Sequence, residues 1–213
     1  MDKCEEALKL LLELVKSKEI ALDNEYIIHV GISNRHVHLS QKDLDTLFGE
    51  SYTLTKMKDL SQPGQYACKE TITICGPKGA IEKVRILGPT RSASQIEVMT
   101  GDCIKLGVTP EIRSSGDLKH TPGITLIGPK GSVQLNEGLI VAQRHIHMSQ
   151  NDAVNLGVSD GQTVSIEIQG LRGGIYNNVI IRANNSSVLE CHLDIEEANA
   201  MNISQNTKIK ILN

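Results

Sequence analysis

A mainly β fold follows from three features of this sequence. From Tyr26 onward, about ten short apolar runs rich in Ile, Val and Leu are separated by turns bearing Gly and Pro. Aromatic residues are scarce, with no Trp, one Phe and four Tyr among 213 residues. The core must therefore be built from branched aliphatics, which suit a pleated, half-buried surface. Finally, two strings nearly repeat one another, residues Ser33 to Asp43 and residues Ala142 to Asp152, each around an Arg-His-x-His core. On a strand, residues i and i+2 share a face, so His36 and His38 converge, as do His145 and His147. On a helix each pair would stand about 200° apart.

Taken in order, residues 1–20 come first. Leu8, Leu11, Leu12 and Val15 recur at helical spacing, with Asp2, Lys3, Glu5, Glu6, Lys9, Glu13, Lys16 and Lys18 on the other side. This predicts an amphipathic helix over 2–19. It can pack on the body or act as a detachable tag for a partner groove. Strands are then predicted at Tyr26–Ile32, Glu70–Cys75, Ile81–Leu87, Gln95–Met99, Ile124–Ile127, Leu139–Ala142, Thr163–Ile168, Val179–Ala183, Val188–Leu193 and Lys208–Leu212. A short helix is expected after each His pair, because Ser40 and Ser149 make good N-caps with Asp43 and Asp152 three residues on. Such material suits a β-barrel or sandwich.

A second echo links Thr71–Gly79 with Ile124–Gly131, each ending in Gly-Pro-Lys-Gly, a tight turn. For Lys130, turn geometry alone is the favoured reading. The His pairs are offset by 109 residues and the turns by 52, which excludes a simple tandem array. Two related halves with exchanged strands fit better. The stretch from Gly49 to Cys68 lacks a sustained apolar pattern, as lids and binding loops often do.

A formal charge of −3 argues against nucleic acid as the main partner. No apolar run is long enough for a membrane helix, and the N-terminus lacks the features of a secretion signal. Five cysteines, Cys4, Cys68, Cys75, Cys103 and Cys191, form no C-x-x-C, which suits a reduced cytosolic protein.

Two further residues can complete metal-ligand sets: His192, near a strand end, and Glu97, flanked by apolar neighbours where a carboxylate needs a cation or donors. His29 lies in an apolar strand without a repeat partner and His120 in a turn, so both read as structural. Two three-ligand sites with open positions are the pattern of catalytic zinc, although cobalt, manganese and iron accept the same donors. Cys191 would alternate away from His192 on a regular strand. Arg91, just before the Glu97 strand, is by default a surface cation; beside a metal it becomes a candidate for gripping an oxyanion.

The stretches Gly31–Ser40, Leu60–Ala67, Leu87–Arg91, Gly123–Lys130, Ala142–Ser149 and Asp194–Ala200 strongly resemble the PduL-type phosphotransacylases, the phosphate propanoyltransferases of bacterial microcompartments. The resemblance runs from about Tyr26 to the C-terminus. Cys191 departs from it, standing where members carry Met. The resemblance implies two β-barrel domains with short helices, one made of residues 25–34 plus 143–213 and one of 35–142, with a lid at 49–69. It implies two divalent metals, usually zinc, one held by His36, His38 and Glu97 and one by His145, His147 and His192. Arg91 would bind phosphate, and Ser33, Asn34, Arg35, Lys78, Arg85 and Asn199 are weaker candidates for coenzyme A contacts. The implied reaction joins acyl-CoA and phosphate to give acyl-phosphate and CoA, with propanoyl-CoA or acetyl-CoA as donor. It further implies a homodimer in the bacterial cytoplasm, inside a microcompartment whose shell or core proteins meet the N-terminal helix. No obvious base serves any Ser or Cys, so direct attack by phosphate is expected, with Cys191 beside His192 as the residue that challenges it. A metal-dependent thioesterase and a non-catalytic metal-stabilised scaffold are the rival readings.

Overall fold

The computed structural model of the protein describes residues 8–9, 12–13, 28–204 and 207–212, and it is mainly β. In chain order the strands are β1 (His29–Ser33), β2 (His36–His38), β3 (Lys56–Asp59), β4 (Tyr66–Cys75), β5 (Ala80–Gly88), β6 (Gln95–Glu97), β7 (Ile112–Arg113) and β8 (Ile124–Ile127). They continue as β9 (Ser132–Leu135), β10 (Leu139–Ala142), β11 (His145–Met148), β12 (Thr163–Ile168), β13 (Gly174–Ala183), β14 (Glu190–Asp194) and β15 (Ile209–Leu212). Four short helices accompany them among the described residues: α1 (Gln41–Phe48), α2 (Thr100–Leu106), α3 (Gln150–Leu156) and α4 (Ile195–Ala200). The helix expected over 2–19 lies outside the described residues, save for Leu8, Lys9, Leu12 and Glu13, which are helical.

Period-two alternation drives the strands into two half-barrel sheets. In β12, Val164, Ile166 and Ile168 point inward while the residues between them face out. One sheet has six strands in the order β1-β14-β11-β13-β12-β15; the other has nine, β7-β10-β6-β2-β5-β4-β8-β9 with β3 against β4. Each covers its own core. Val37, Leu39, Ile74, Ile86, Ile96 and Leu126 lie in the nine-stranded part, and Ile146, Met148, Ile166, Ile181 and Leu193 in the six-stranded part. Strand β1 precedes the nine-stranded elements in sequence but pairs in parallel with β14 of the other sheet.

Both helices expected after the His pairs are present. The side chain of Ser40 accepts from Asp43 N, and that of Ser149 from Asp152 N within a full capping box. The two Gly-Pro-Lys-Gly turns perform one packing task twice. Lys78 N donates to Leu106 O at the end of α2, and Lys130 N donates to Leu47 O near the end of α1, each at 3.0 Å. These bonds satisfy carbonyls that a helix end leaves open. Three strands escape the sequence reading: all four residues of β3 are exposed, β7 has two residues, and β9 is buried nowhere along its length. With little apolar pattern, only pairing defines them. Helices α2 and α4 are too short to show a helical apolar period.

A methyl group on Gly76 would sit 2.3 Å from Leu106 O, and one on Gly128 would sit 2.5 Å from Leu47 O. Because both obstacles are backbone, Gly76→Ala and Gly128→Ala are each expected to cost about 1–3 kcal/mol and to lower the melting temperature by roughly 2–10 °C. Melting curves indistinguishable from the parent would show that the turns are not seated on the helix ends.

Candidate active site

Each His-x-His strand receives its third donor from the antiparallel neighbour. In β2·β6, His36 lies directly opposite Glu97; in β11·β14, His145 lies directly opposite His192. Opposed residues on one face keep their Cβ atoms about 5 Å apart. The donor atoms of His36, His38 and Glu97 therefore fall within 4.8 Å of one another, as do those of His145, His147 and His192. Both sets face a single cavity of about 600 Å³, lined from both sheets and also by Arg91 and Arg182.

The repeated arginines brace these strands. Arg35 Nε and Nη2 donate to the two carboxylate oxygens of Asp102 at 2.8 and 2.9 Å, and Arg144 Nε donates to Glu197 Oε1 at 2.7 Å. Asp102 and Glu197 occupy the same place in their capping boxes, in the first turns of α2 and α4. Those helices directly follow the strands that carry Glu97 and His192. One clasp thus holds each third-donor strand to its His pair.

Backbone carbonyls orient the imidazoles. His36 Nδ1 lies 2.8 Å from Asn34 O, and His145 Nδ1 lies 2.8 Å from Gln143 O. A carbonyl only accepts, so Nδ1 carries a proton in each; His145 Nε2 presents its lone pair, while His36 Nε2 faces Glu97 Oε2 at 3.4 Å. His145 Nε2 and His147 Nε2 approach to 3.2 Å. Burial, aided by neighbouring positive groups, lowers His38 and His147 to about 3 and His145 to about 4. All three are neutral at pH 7, as metal coordination requires. Burial alone would raise Glu97, but His36, His38 and Arg91 together outweigh it and hold the carboxyl well below its ordinary range. His38 Nδ1 and His147 Nδ1 are buried with no hydrogen-bond partner. Convergent ring nitrogens and an ionised carboxylate fit divalent cations, and each set can hold one.

A carboxylate absent from the sequence reading supports the second set. Glu190 Oε2 accepts from His192 Nε2 at 2.6 Å, from Gln62 Nε2 at 3.2 Å and from Ser61 Oγ. Burial opposes its ionisation, but these donors prevail and hold it at about 2. Since His192 donates through Nε2, its Nδ1 is left as the open donor. Gln62 also bridges the Val188 backbone, donating to its carbonyl at 3.1 Å and accepting from its N–H at 3.2 Å. The irregular stretch expected at 49–69 is thus latched across to the other sheet, and its Met57, Lys58, Leu60, Ser61 and Gln65 line the cavity.

Arg91 lies in the cavity wall, with Nη1 donating to Ser115 Oγ at 3.1 Å; Ser115 also accepts from Gln95 Nε2, which reaches Glu97 Oε1 at 2.5 Å. Of the coenzyme A candidates, Ser33, Asn34, Arg35 and Arg85 line the cavity. Arg35 is engaged by Asp102, and Arg85 Nη1 donates to the carbonyls of Cys68 and Lys69. Lys78 and Asn199 are not among the lining residues. Lys78 belongs to the turn seated on α2, its stem against Gly107, and Asn199 is exposed on α4. His29 and His120 fall outside both donor sets. Glu190 was legible by the i, i+2 rule from His192, and Arg182 as the charge in an apolar strand; Lys58, on an exposed strand, carried no signal.

The family profile described as Phosphate propanoyltransferase matches residues 29–204. The Phosphate propanoyltransferase of Thermotoga maritima is 55% identical over 174 residues, covering 81% of this chain and 83% of that protein. That of Rhodobacter capsulatus is 48% identical over 204 residues, 95% of each chain. That of Enterococcus faecalis is 43% identical over 212 residues, covering both chains fully. The chain belongs to the phosphate propanoyltransferase family, and with it to the phosphate acyltransferases.

The lowered histidines make the ion-stripped protein acid-sensitive. As pH falls below the ordinary value of 6.5, the unfolded chain takes up protons that His38, His145 and His147 refuse when folded, so their contribution is lost down to about 3–4. His36, raised by Glu97 against the effect of burial, works in the opposite sense, but it is one group against three. Chelated protein is expected to melt at lower temperature at about pH 5 than at about pH 7.5; an unchanged or higher melting point would contradict the neutral imidazoles.

Proposed function

We propose that this cavity is the reaction chamber of a metal-dependent phosphotransacylase, which reversibly converts acyl-CoA and phosphate to acyl-phosphate and CoA. The observation that carries the reading is the convergence of two three-donor sets and the Arg91 guanidinium on one cavity of about 600 Å³. The relatives' name supplies propanoyl as the acyl group, with acetyl as a close alternative. His36, His38 and Glu97 hold one divalent ion and His145, His147 and His192 the other; zinc suits these donors. Such ions, when bound, supply polarisation of the thioester carbonyl and stabilisation of the departing thiolate.

Arg91 contributes position. Its fork of N–H donors, steadied by Ser115, grips phosphate and aims one oxygen at the acyl carbon. That oxygen forms the new bond, the carbon–sulfur bond breaks, and the electron pair leaves on the CoA sulfur. Direct attack is supported by the state of the thiols. Cys191 is fully buried on the core face of β14, opposite His192, and burial pushes it up to about 12. Cys68 and Cys103 are buried too, each pushed up to about 11. None of the three offers a reachable thiolate. Ser33, Asn34 and Arg85, with Lys58, form the wall along which CoA lies.

The two separate cores support reading residues 25–34 plus 143–213 and 35–142 as two β-barrel domains, with 49–69 as a lid. The reading extends to a homodimer enclosed in a bacterial microcompartment, addressed by residues 1–20; the amphipathic pattern of that segment supports a tag. Among the described residues no helix is long and apolar enough to cross a membrane.

The test is CoA release from propanoyl-CoA and acetyl-CoA, with and without phosphate, before and after chelation. Strict dependence on both phosphate and metal is expected. Equal release without phosphate would make the protein a thioesterase, and no turnover, with folding lost on chelation, would make it a scaffold. Replacing Glu190 by Ala is expected to weaken metal binding by about 10- to 100-fold at one of the two sites only, as chelator competition would read. Equal weakening of both ions, or of neither, would remove Glu190 from the support of His192.

A further inference from the structure

We infer that Arg182 is a second phosphoryl-binding residue, so that the phosphate or acyl-phosphate group is gripped from both sheets at once, by Arg91 and by Arg182. The inference rests on the phosphotransacylase reading of the cavity.

Strand β13 runs parallel to β11, with Arg182 in register with His147. Its neighbours Ile181 and Ala183 point into the core. Arg182 therefore emerges on the opposite face, and there it lines the cavity together with His145 and His147. Its charge is felt by both of those histidines and by Arg91, which comes from the nine-stranded part of the wall.

Among the described residues, no hydrogen bond or ion pair engages the Arg182 guanidinium. The contrast with its neighbours is sharp. Arg35 and Arg144 are each matched by a carboxylate, and Arg85 is held by two carbonyls. The two acids that line the cavity are already committed: Glu97 to His36 and Gln95, and Asp194 to the Glu197 N–H that it caps; Glu190, behind His192, is taken by His192, Ser61 and Gln62. Arg182 is half-buried; a guanidinium carries five donors, and burying donors without acceptors is costly. Two like charges within one cavity add repulsion to that cost. An oxyanion between them removes both penalties.

Its chemistry follows from the two forks. Each arginine pairs best with two oxygens, so an anion held from two sides needs at least three oxygens and more than one negative charge. A phosphoryl group meets that description, whereas a thioester or a carboxylate does not. The phosphoryl group can belong to inorganic phosphate and acyl-phosphate or to CoA. Proximity to the two donor sets favours the transferred group.

The experiment uses the full, metal-loaded chain carrying Arg182→Ala, Arg182→Gln or Arg182→Lys, with circular dichroism to confirm folding. Should the alanine variant unfold, the glutamine variant retains most of the stem and carries the test. Three quantities are read: KM for inorganic phosphate, KM for acyl-CoA, and the rise in melting temperature that phosphate alone produces. A roughly 10- to 100-fold increase in KM for phosphate is expected, with KM for acyl-CoA held within about twofold, loss of the phosphate-induced shift, and partial recovery in the lysine variant. An unchanged KM for phosphate with the shift intact would overturn the assignment and leave the phosphotransacylase reading standing. A rise in KM for acyl-CoA alone would overturn it too, moving Arg182 to the phosphates of CoA. Phosphate-independent CoA release by the parent protein, with no phosphate-induced shift, would instead sink the functional reading and the assignment with it.

Discussion

Everything at the centre of this protein depends on strand register. A His-x-His strand brings two imidazoles to one face but leaves them one donor short. The antiparallel neighbour supplies it, because His36 is opposed by Glu97 and His145 by His192. A slip of one residue would turn the third donor into the core and bring an apolar side chain out in its place. The Arg35–Asp102 and Arg144–Glu197 clasps oppose such a slip, since each ties the His-bearing segment to the helix that follows the third-donor strand. The arginine of each repeat therefore reads as a brace for the metal-ligand geometry rather than as a group aimed at substrate.

The charge distribution follows from the same scaffold. Histidines buried beside one another and near Arg91 or Arg182 stay neutral, while Glu97 and Glu190 stay ionised against the pull of burial. For His38, His145 and His147 that is the protonation state a divalent cation needs, whereas His36, raised by Glu97, gives up its proton more reluctantly. The Ser61–Gln62 latch on Glu190 extends the charge distribution outward. The loop that closes one side of the cavity and the carboxylate that orients His192 share an oxygen, so movement of the loop bears on the ligand set.

The two sequence echoes record different things. The turn repeat, 52 residues apart, is a packing device within the nine-stranded part, where each Gly-Pro-Lys-Gly seats on a helix end. This is why Lys78, attractive as a cation near a repeated motif, is held away from the cavity. The histidine repeat, 109 residues apart, places one donor set on each sheet, both facing the cavity. Repetition by itself did not distinguish the two; residue type did, because Gly and Pro answer to backbone geometry whereas paired imidazoles answer to a ligand.

The sequence by itself determined the β class, most of the strands, the caps of α1 and α3, and the six residues of the two donor sets. These are written locally, in alternation, in Ser-x-x-Asp spacing and in His-x-His. The pairing of each third donor and the crossing of β1 to the far sheet came from the family resemblance and not from any local pattern; the tertiary structure supplies the strand register that makes each set converge and opens both on one cavity. It also decided the partners of the cations: Arg35 and Arg144 spent on carboxylates, Arg182 left free to face the cavity, Glu190 placed behind His192. The reason is physical. Strand pairing brings together residues far apart in the chain, such as Gly31 and His192, and no local pattern encodes which ones. A sequence states what each residue can do; the fold decides what stands opposite it.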